Sequence, residues 1–399
     1  MKAVSRREAC LFCGVNLKSS LMLLAFFMCA ATSAVADTRL AAPDFSTWLE
    51  SEQGQKASLA QLKQQCDKVL DAEDNLNCSV SVFARMFEAK TANQLPEYYL
   101  AIKRRHAQAI ANDPELNAMF SMFGSESLAT LSSLADFSVK RTTRHEVLVI
   151  HPYASDGHVT GEVLPYLDVK AANGVSSRFI LDTGAPQTRV NDETAKRMGI
   201  RLLTDSHYDY STFYGERDLS AKLGIFDSLK IGTSEFRNVL VFVSDRDNLL
   251  GLDLIGKLGR LRITQKALEL NAEPAARCDS RIDYERMDIN QRLITAARLD
   301  RRAMPVIIDT GNADYLTSSS PGNSPIHVTD KPRSQTFKGE LSLSGHIQSI
   351  AYNYYPDFTI PPSLLLGKYV PSLLLGWGAF NDHELNLDID SGRSCFNRS

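Results

Sequence analysis

The sequence predicts a mostly β protein in which two similar β-rich lobes follow one another behind an α-helical N-terminal region. Three observations carry this. Apolar residues recur at helical spacing from about Ala57 to Leu134. Near Glu146 the pattern changes to short strand-like runs separated by turn residues such as Asn173-Gly174. Two later stretches are alike, each an apolar run that ends in Asp-Thr-Gly.

Residues 1–36 read as an export signal. Lys2, Arg6, Arg7 and Lys18 precede an apolar run from Leu21 to Ala30, and small residues follow up to Ala34-Val35-Ala36. A retained membrane anchor stays open, because Ser19 to Ala36 is near the lower limit for a spanning helix. No later run is long and apolar enough to span, so no stable membrane span is expected once the signal is cut. Cutting would remove Cys10, Cys13 and Cys29 and leave Cys66, Cys78, Cys278 and Cys395. An even number of cysteines in an exported chain points to disulfides. Cys66–Cys78 and Cys278–Cys395 are the favoured pairs. These four form no CxxC pair and no HExxH occurs, so no metal or other cofactor is expected. A net charge of −3 over 399 residues offers no attraction to nucleic acid.

Residues 37–145 form the helical region. Leu59, Leu62, Cys66, Val69 and Leu70 recur at helical spacing, and Pro96 opens a helix that carries Tyr99, Ile102, His106 and Ile110 as far as Asn112. His106 lies on the apolar side and reads as a core histidine. Lys103-Arg104-Arg105 reads as a solvated face. The region shows no recognisable chemistry. An inhibitory segment over a cleft, a docking domain and a packed third domain all remain open for it.

The lobes are expected at 146–275 and 276–399, across a polar junction from Asn271 to Arg281. The first holds Phe179-Ile180-Leu181-Asp182-Thr183-Gly184-Ala185, and the second Val306-Ile307-Ile308-Asp309-Thr310-Gly311-Asn312. Each is followed by an apolar-apolar-Gly element, Leu249-Leu250-Gly251 and Leu374-Leu375-Gly376. The separations from Asp to Gly are 69 and 67 residues. Leu365-Leu366-Gly367 also has this form, and spacing favours the later copy. One Asp-Thr-Gly alone could be an ordinary turn. Two copies in matching surroundings are a far stronger signal.

The residue types suit acid–base chemistry. An apolar strand delivers a carboxylate into a dry site, where charge is costly. Gly permits a tight turn and close approach, and Thr offers a hydroxyl that can bond across to the partner lobe. Two carboxylates within about 3 Å cannot both ionise and share one proton. Such a pair can take a proton from a water held between them while polarising a carbonyl, without metal or covalent intermediate.

On these motifs the stretch from Val159 to Phe396 resembles aspartic peptidases of the retropepsin and pepsin class, with two tandem retropepsin-like (acid protease) β-barrel lobes in one chain. Glu193 to Ile200 resembles the family's short helix, and Leu249 to Asp253 the loop behind its catalytic strand. The resemblance implies Asp182 and Asp309 as catalytic pair. It also implies Thr183 and Thr310 as interlocking hydroxyls, with Gly184 and Gly311 in the active-site loops. A flap is implied near Tyr214-Gly215, with a weaker counterpart near Phe337-Lys338-Gly339. The implied function is that of an exported, most simply periplasmic, endopeptidase acting on peptide or protein. Two units on one chain favour a monomer. Asn312 departs from the Ser, Thr or Ala usual at its position. A peptide-binding protein that keeps the fold without cutting is the alternative. No GxSxG, P-loop or dinucleotide fingerprint is present, and Asp388-Ile389-Asp390-Ser391-Gly392 reads as a strand end and turn rather than a calcium loop.

Overall fold

The computed structural model describes residues 45–153, 163–210, 212, 219–287, 290–322, 325–328, 335–355 and 372–399. The expected signal at 1–36, the Tyr214-Gly215 flap and Leu365-Leu366-Gly367 lie outside them.

The chain opens with helices α1 (Phe45–Glu50), α2 (Glu52–Lys56), α3 (Leu59–Cys66) and α4 (Ala72–Ala89). They are followed by α5 (Leu95–Arg105), α6 (Ala107–Asn112), α7 (Pro114–Met119) and α8 (Ser125–Ser132). Ser58 and Gln61 form a capping box that starts α3, and the Asp71 carboxylate accepts the Glu73 and Asp74 N–H groups to start α4. The Cys66–Cys78 disulfide ties these two helices together. The helix expected from Pro96 to Asn112 is kinked at His106, where φ is −116° and ψ 27°. At the kink His106 N–H bonds Ile102 O, closing α5, and His106 O accepts from Ile110 N–H, opening α6. The buried His106 ring meets Asn75 Oδ1 at 3.2 Å, and burial lowers its pKa. Phe83, Phe87, Tyr99, Phe120 and Phe123 form an aromatic centre for these helices.

Strand β1 (Ser138–Lys140), still ahead of residue 146, pairs with the sheet of the first lobe, whose own strands begin with β2 (Glu146–Val149), β3 (Tyr166–Ala171), β4 (Ser176–Leu181) and β5 (Arg189–Asn191). After helix α9 (Asp192–Met198) come β6 (Arg201–Tyr210), β7 (Leu219–Ile231), β8 (Ser234–Ser244) and β9 (Leu249–Leu250). Helix α10 (Leu252–Ile255) then leads to β10 (Leu261–Ile263) and β11 (Ala267–Leu270). One sheet runs β1-β8-β5-β9-β4-β3-β7-β6 and curls on itself through a further β7–β8 pairing.

The second lobe repeats the plan with β12 (Ser280–Met287), β13 (Asn290–Leu299), β14 (Arg302–Ile308), β15 (Leu316–Ser318) and β16 (Pro325–Val328). It continues through β17 (Gln335–Leu343), β18 (His346–Tyr354), β19 (Leu373–Leu375), β20 (His383–Leu387) and β21 (Ser394–Arg398). Its strands run β16-β17-β18-β15-β19-β14-β13, with β17 also pairing β13.

The lobes meet in a shared antiparallel sheet ordered β12-β21-β20-β10-β11-β2. Each gives it one leading strand (β2 or β12) and one late hairpin (β10–β11 or β20–β21), and β10 joins β20 at the centre. The Cys278–Cys395 disulfide pins the start of the second lobe to β21. A single apolar core runs through both lobes, with Phe179, Leu181 and Leu250 from one and Ile308, Leu375 and Phe396 from the other.

Candidate active site

The repeated sequence elements become paired strands. In the first lobe β4 lies parallel to β9, with Ile180 opposite Leu249 and Leu181 opposite Leu250. In the second β14 lies parallel to β19, with Ile307 opposite Leu374 and Ile308 opposite Leu375. All of these side chains but Leu249 are buried, which is why the runs are continuously apolar rather than alternating. Asp182 N–H bonds Leu250 O at 3.0 Å, and Asp309 N–H bonds Leu375 O at 2.9 Å. Each apolar-Gly element thus holds the strand that carries a carboxylate.

It also braces the following loop. Leu252 N–H bonds Ala185 O at 2.9 Å, and Trp377 N–H bonds Asn312 O at 2.6 Å. A Cβ at Gly251 would come within 2.6 Å of the Gln187 carbonyl carbon, and one at Gly376 within 2.2 Å of Asp314 O. Only glycine allows that approach.

Across the lobes the two threonines interlock. Thr183 N–H bonds Thr310 Oγ1 and Thr310 N–H bonds Thr183 Oγ1, each at 3.0 Å. Thr183 Oγ1 donates to Ile308 O at 2.8 Å, and Thr310 Oγ1 donates to Leu181 O. Both threonines are fully buried, so these bonds are unscreened by water. The glycines next to them face the opposite carboxylates: a Cβ on Gly184 would lie 2.2 Å from Asp309 Cγ, and one on Gly311 2.4 Å from Asp182 Cγ.

This geometry brings Asp182 and Asp309 side by side as a hydrogen-bonded pair, 8% and 6% exposed. Asp182 Oδ1 accepts from Gly184 N–H and Ala185 N–H at 2.9 Å, and Asp309 Oδ1 accepts from Gly311 N–H at 2.9 Å. Burial raises the pKa of Asp182, while the Asp309 hydrogen bond, the two backbone donors and the Arg189 charge oppose the rise. Burial, then the Asp182 charge, pushes Asp309 well above the ordinary carboxylate range. The pair therefore keeps one proton where isolated aspartates would have lost both. Arg189 biases the negative charge towards Asp182.

Asn312 does not aim its amide at the dyad. Its Nδ2 reaches Thr317 Oγ1 at 3.3 Å and its Oδ1 accepts from Asp314 N–H at 3.2 Å, while its backbone N–H helps hold Asp309. The Phe337-Lys338-Gly339 stretch is not a flap tip. It lies inside β17, paired with Tyr352-Ala351-Ile350, and Phe337 is buried against Tyr352 with ring centroids 5.9 Å apart. By strand order the hairpin that matches β6–β7 is β16–β17, whose turn falls outside the described residues. Asp388 accepts Ser391 N–H in the β20–β21 turn, and no metal-binding cluster occurs among the described residues.

The contacts of Asp253 and Arg189 escaped sequence reasoning. Asp253 Oδ1 accepts from Thr188 N–H at 3.0 Å and Thr188 Oγ1 at 2.7 Å, which fixes the loop after Asp182. Arg189 stands over the Tyr210 ring, 5.6 Å from its centroid. The second lobe repeats neither Asp253 nor Arg189, so the internal repeat could not reveal them.

Residues 170–257 match a protein-family model described as "gag-polyprotein putative aspartyl protease". The match runs from β3 into the turn after α10 and includes Asp182, so the similarity to an aspartyl protease rests on the first lobe. Two solved structures are similar, conglutin gamma, a basic 7S globulin from lupine seeds, and basic 7S globulin from soybean. Their identities are 10% and 11% and their TM-scores 0.39 and 0.38, over 64% of this chain and 95% of each of theirs. No curated protein matches the chain in sequence.

Proposed function

We propose that the chain is an exported aspartic endopeptidase, with lobes at 146–275 and 276–399 and with Asp182 and Asp309 as its catalytic pair. The observation that carries the reading is a buried two-carboxylate pair assembled inside one chain, interlocked by Thr183 and Thr310. Asp182, held by two backbone donors and biased to the charged form by Arg189, takes a proton from a water as its oxygen attacks the peptide carbonyl carbon. Asp309 gives its proton to the carbonyl oxygen. When the tetrahedral species collapses, the C–N bond breaks and the amine takes the proton held on Asp182. The proton of one hydroxyl returns to Asp309, so the pair ends with the single proton it began with. The site completes itself within one chain, which supports a monomer acting on an extended peptide or protein. Two disulfides agree with an oxidising, periplasm-like destination, and no described helix is long and apolar enough to cross a membrane.

Incubating casein with Asp37–Ser399 and with its Asp309→Ala variant, from about pH 3 to 8, tests the reading. Cleavage by the parent alone is expected. Peptide capture without cleavage by either protein would make the chain a binding protein that retains the fold.

A further inference from the structure

Asp253 is a buried carboxylate, and its counter-ion does not come from either lobe. It comes from Lys90, at the end of α4 in the helical region. The Lys90 side chain is 2% exposed and the Asp253 side chain 0%, and they form an ion pair. Lys90 Nζ also donates to Leu240 O at 2.9 Å and to Gln187 Oε1 at 3.1 Å. Two hydrogen-bond acceptors and the Asp253 carboxylate thus surround the ammonium, which offsets the penalty of burying its charge.

The position is unusual for lysine. Lys90 caps α4 with φ 61°, in the left-handed region where helices commonly end on glycine. A long side chain is kept there against the local backbone preference. It reaches the underside of the catalytic loop: Gln187 and Thr188 lie in that loop, and Asp253 bonds Thr188. Asp253 N–H further bonds Pro186 O at 3.3 Å, and Ala185 in the same loop donates its N–H to Asp182.

The same helix end holds the second lobe. Glu88 Oε1 accepts from Arg286 Nε of β12 at 2.6 Å, while Glu88 Oε2 pairs with Arg85 at 3.0 Å. Lys257 joins this junction, its pKa lowered by burial against the pull of Glu88 and Asp253. Within three residues, the end of α4 bonds the loop behind Asp182 and the leading strand of the other lobe.

We propose that Lys90 is a positioning residue for the catalytic loop, so that the helical region is an integral brace of the active site and not a removable inhibitory segment. The proposal rests on the peptidase reading above. Loosening the brace leaves the carboxylates in place but frees the loop that supplies donors to Asp182. Its effect should fall on turnover more than on substrate affinity.

The test uses the full chain with Lys90→Met, Lys90→Arg and the double variant Lys90→Met/Asp253→Asn, beside Asp182→Ala. The double variant removes both buried charges and guards against a mere folding failure. At a temperature where melting curves show every variant folded, Lys90→Met and the double variant should lose roughly 10-fold or more in kcat, with KM within about 3-fold. Lys90→Arg should recover part of the loss, because it keeps the charge. Wild-type kcat in the folded double variant would overturn the positioning role and leave Lys90 as a neutraliser of Asp253 only. Absence of any Asp182-dependent cleavage by the wild type would sink the peptidase reading as well, so the two failures are told apart.

Discussion

The two lobes place one backbone plan in two different settings. Both end an apolar strand in Asp-Thr-Gly, hold it with a parallel apolar strand and brace the next loop from the residue after a glycine. They differ in the residues beyond that glycine. In the second lobe the next residue is Trp377, stacked on Phe380 with ring centroids 4.9 Å apart, so the brace is apolar and self-contained. In the first it is Leu252 and then Asp253, so the brace is ionic and pairs with a cation from outside the lobe. The outer faces differ in the same sense. Leu203, Leu223, Ile225, Leu240 and Phe242 of the first lobe share a core with the helical region. The start of β18 in the second lobe carries His346, Gln348 and a 67% exposed Ile347. A repeated unit can therefore keep the same plan around its central carboxylates while one copy packs against a third partner.

The central symmetry is open to the largest test. Asp182→Asn and Asp309→Asn should each lower kcat/KM by roughly 1000-fold or more, because neither carboxylate can substitute for the other. Steady-state assays that found one of them tolerated would break the equivalence of the lobes. Next in size are the glycines that face the opposite carboxylates. Gly184→Ala and Gly311→Ala should each cost about 3 kcal/mol or more in urea unfolding, since the new methyl overlaps a buried aspartate in both directions. A cost confined to one lobe would mean that the interface relaxes on one side only.

The outer faces should respond unequally. Leu223→Ala, under the helical region, should cost about 2–5 kcal/mol, whereas Ile347→Ala should stay within about 0.5 kcal/mol. Equal losses in thermal unfolding would remove the asymmetry. The smallest effect concerns the dyad and pH. Asp309 has its folded pKa raised above the unfolded value, so between those two values the native state holds a proton that the unfolded chain releases. Its contribution to stability is complete below the unfolded pKa and is lost as pH rises through the folded one. Asp309→Asn abolishes that loss. Its melting temperature should therefore gain on the wild type as pH rises from about 4. A constant difference across pH would show that Asp309 does not carry the shared proton.

Much of this organisation was legible in the chain before any coordinates. Helical spacing marked the N-terminal region, and strand-like runs with turn signals marked the β lobes. The two apolar runs ending in Asp-Thr-Gly, each with an apolar-Gly echo, located the candidate site, because a repeat states the same local solution twice. The later echo at Leu374-Leu375-Gly376, chosen on spacing, is the one that pairs with β14. The proposed disulfides Cys66–Cys78 and Cys278–Cys395 are those the fold contains.

Other features depended on long-range placement. The Phe337-Lys338-Gly339 stretch has flap-like residues, yet its strand neighbours put Phe337 in the core. Asn312 departs from the residue usual in the peptidases the sequence resembles, but only its side-chain direction shows that the backbone, not the amide, serves Asp309. Lys90 and Asp253 are 163 residues apart in the chain, with no motif, repeat or spacing to connect them. Local order in a sequence encodes periodicity, turns and repeated motifs, because these act through near neighbours. A buried lysine's partner is decided by which distant surfaces the core brings together, and that was settled only when the helices packed onto the first lobe.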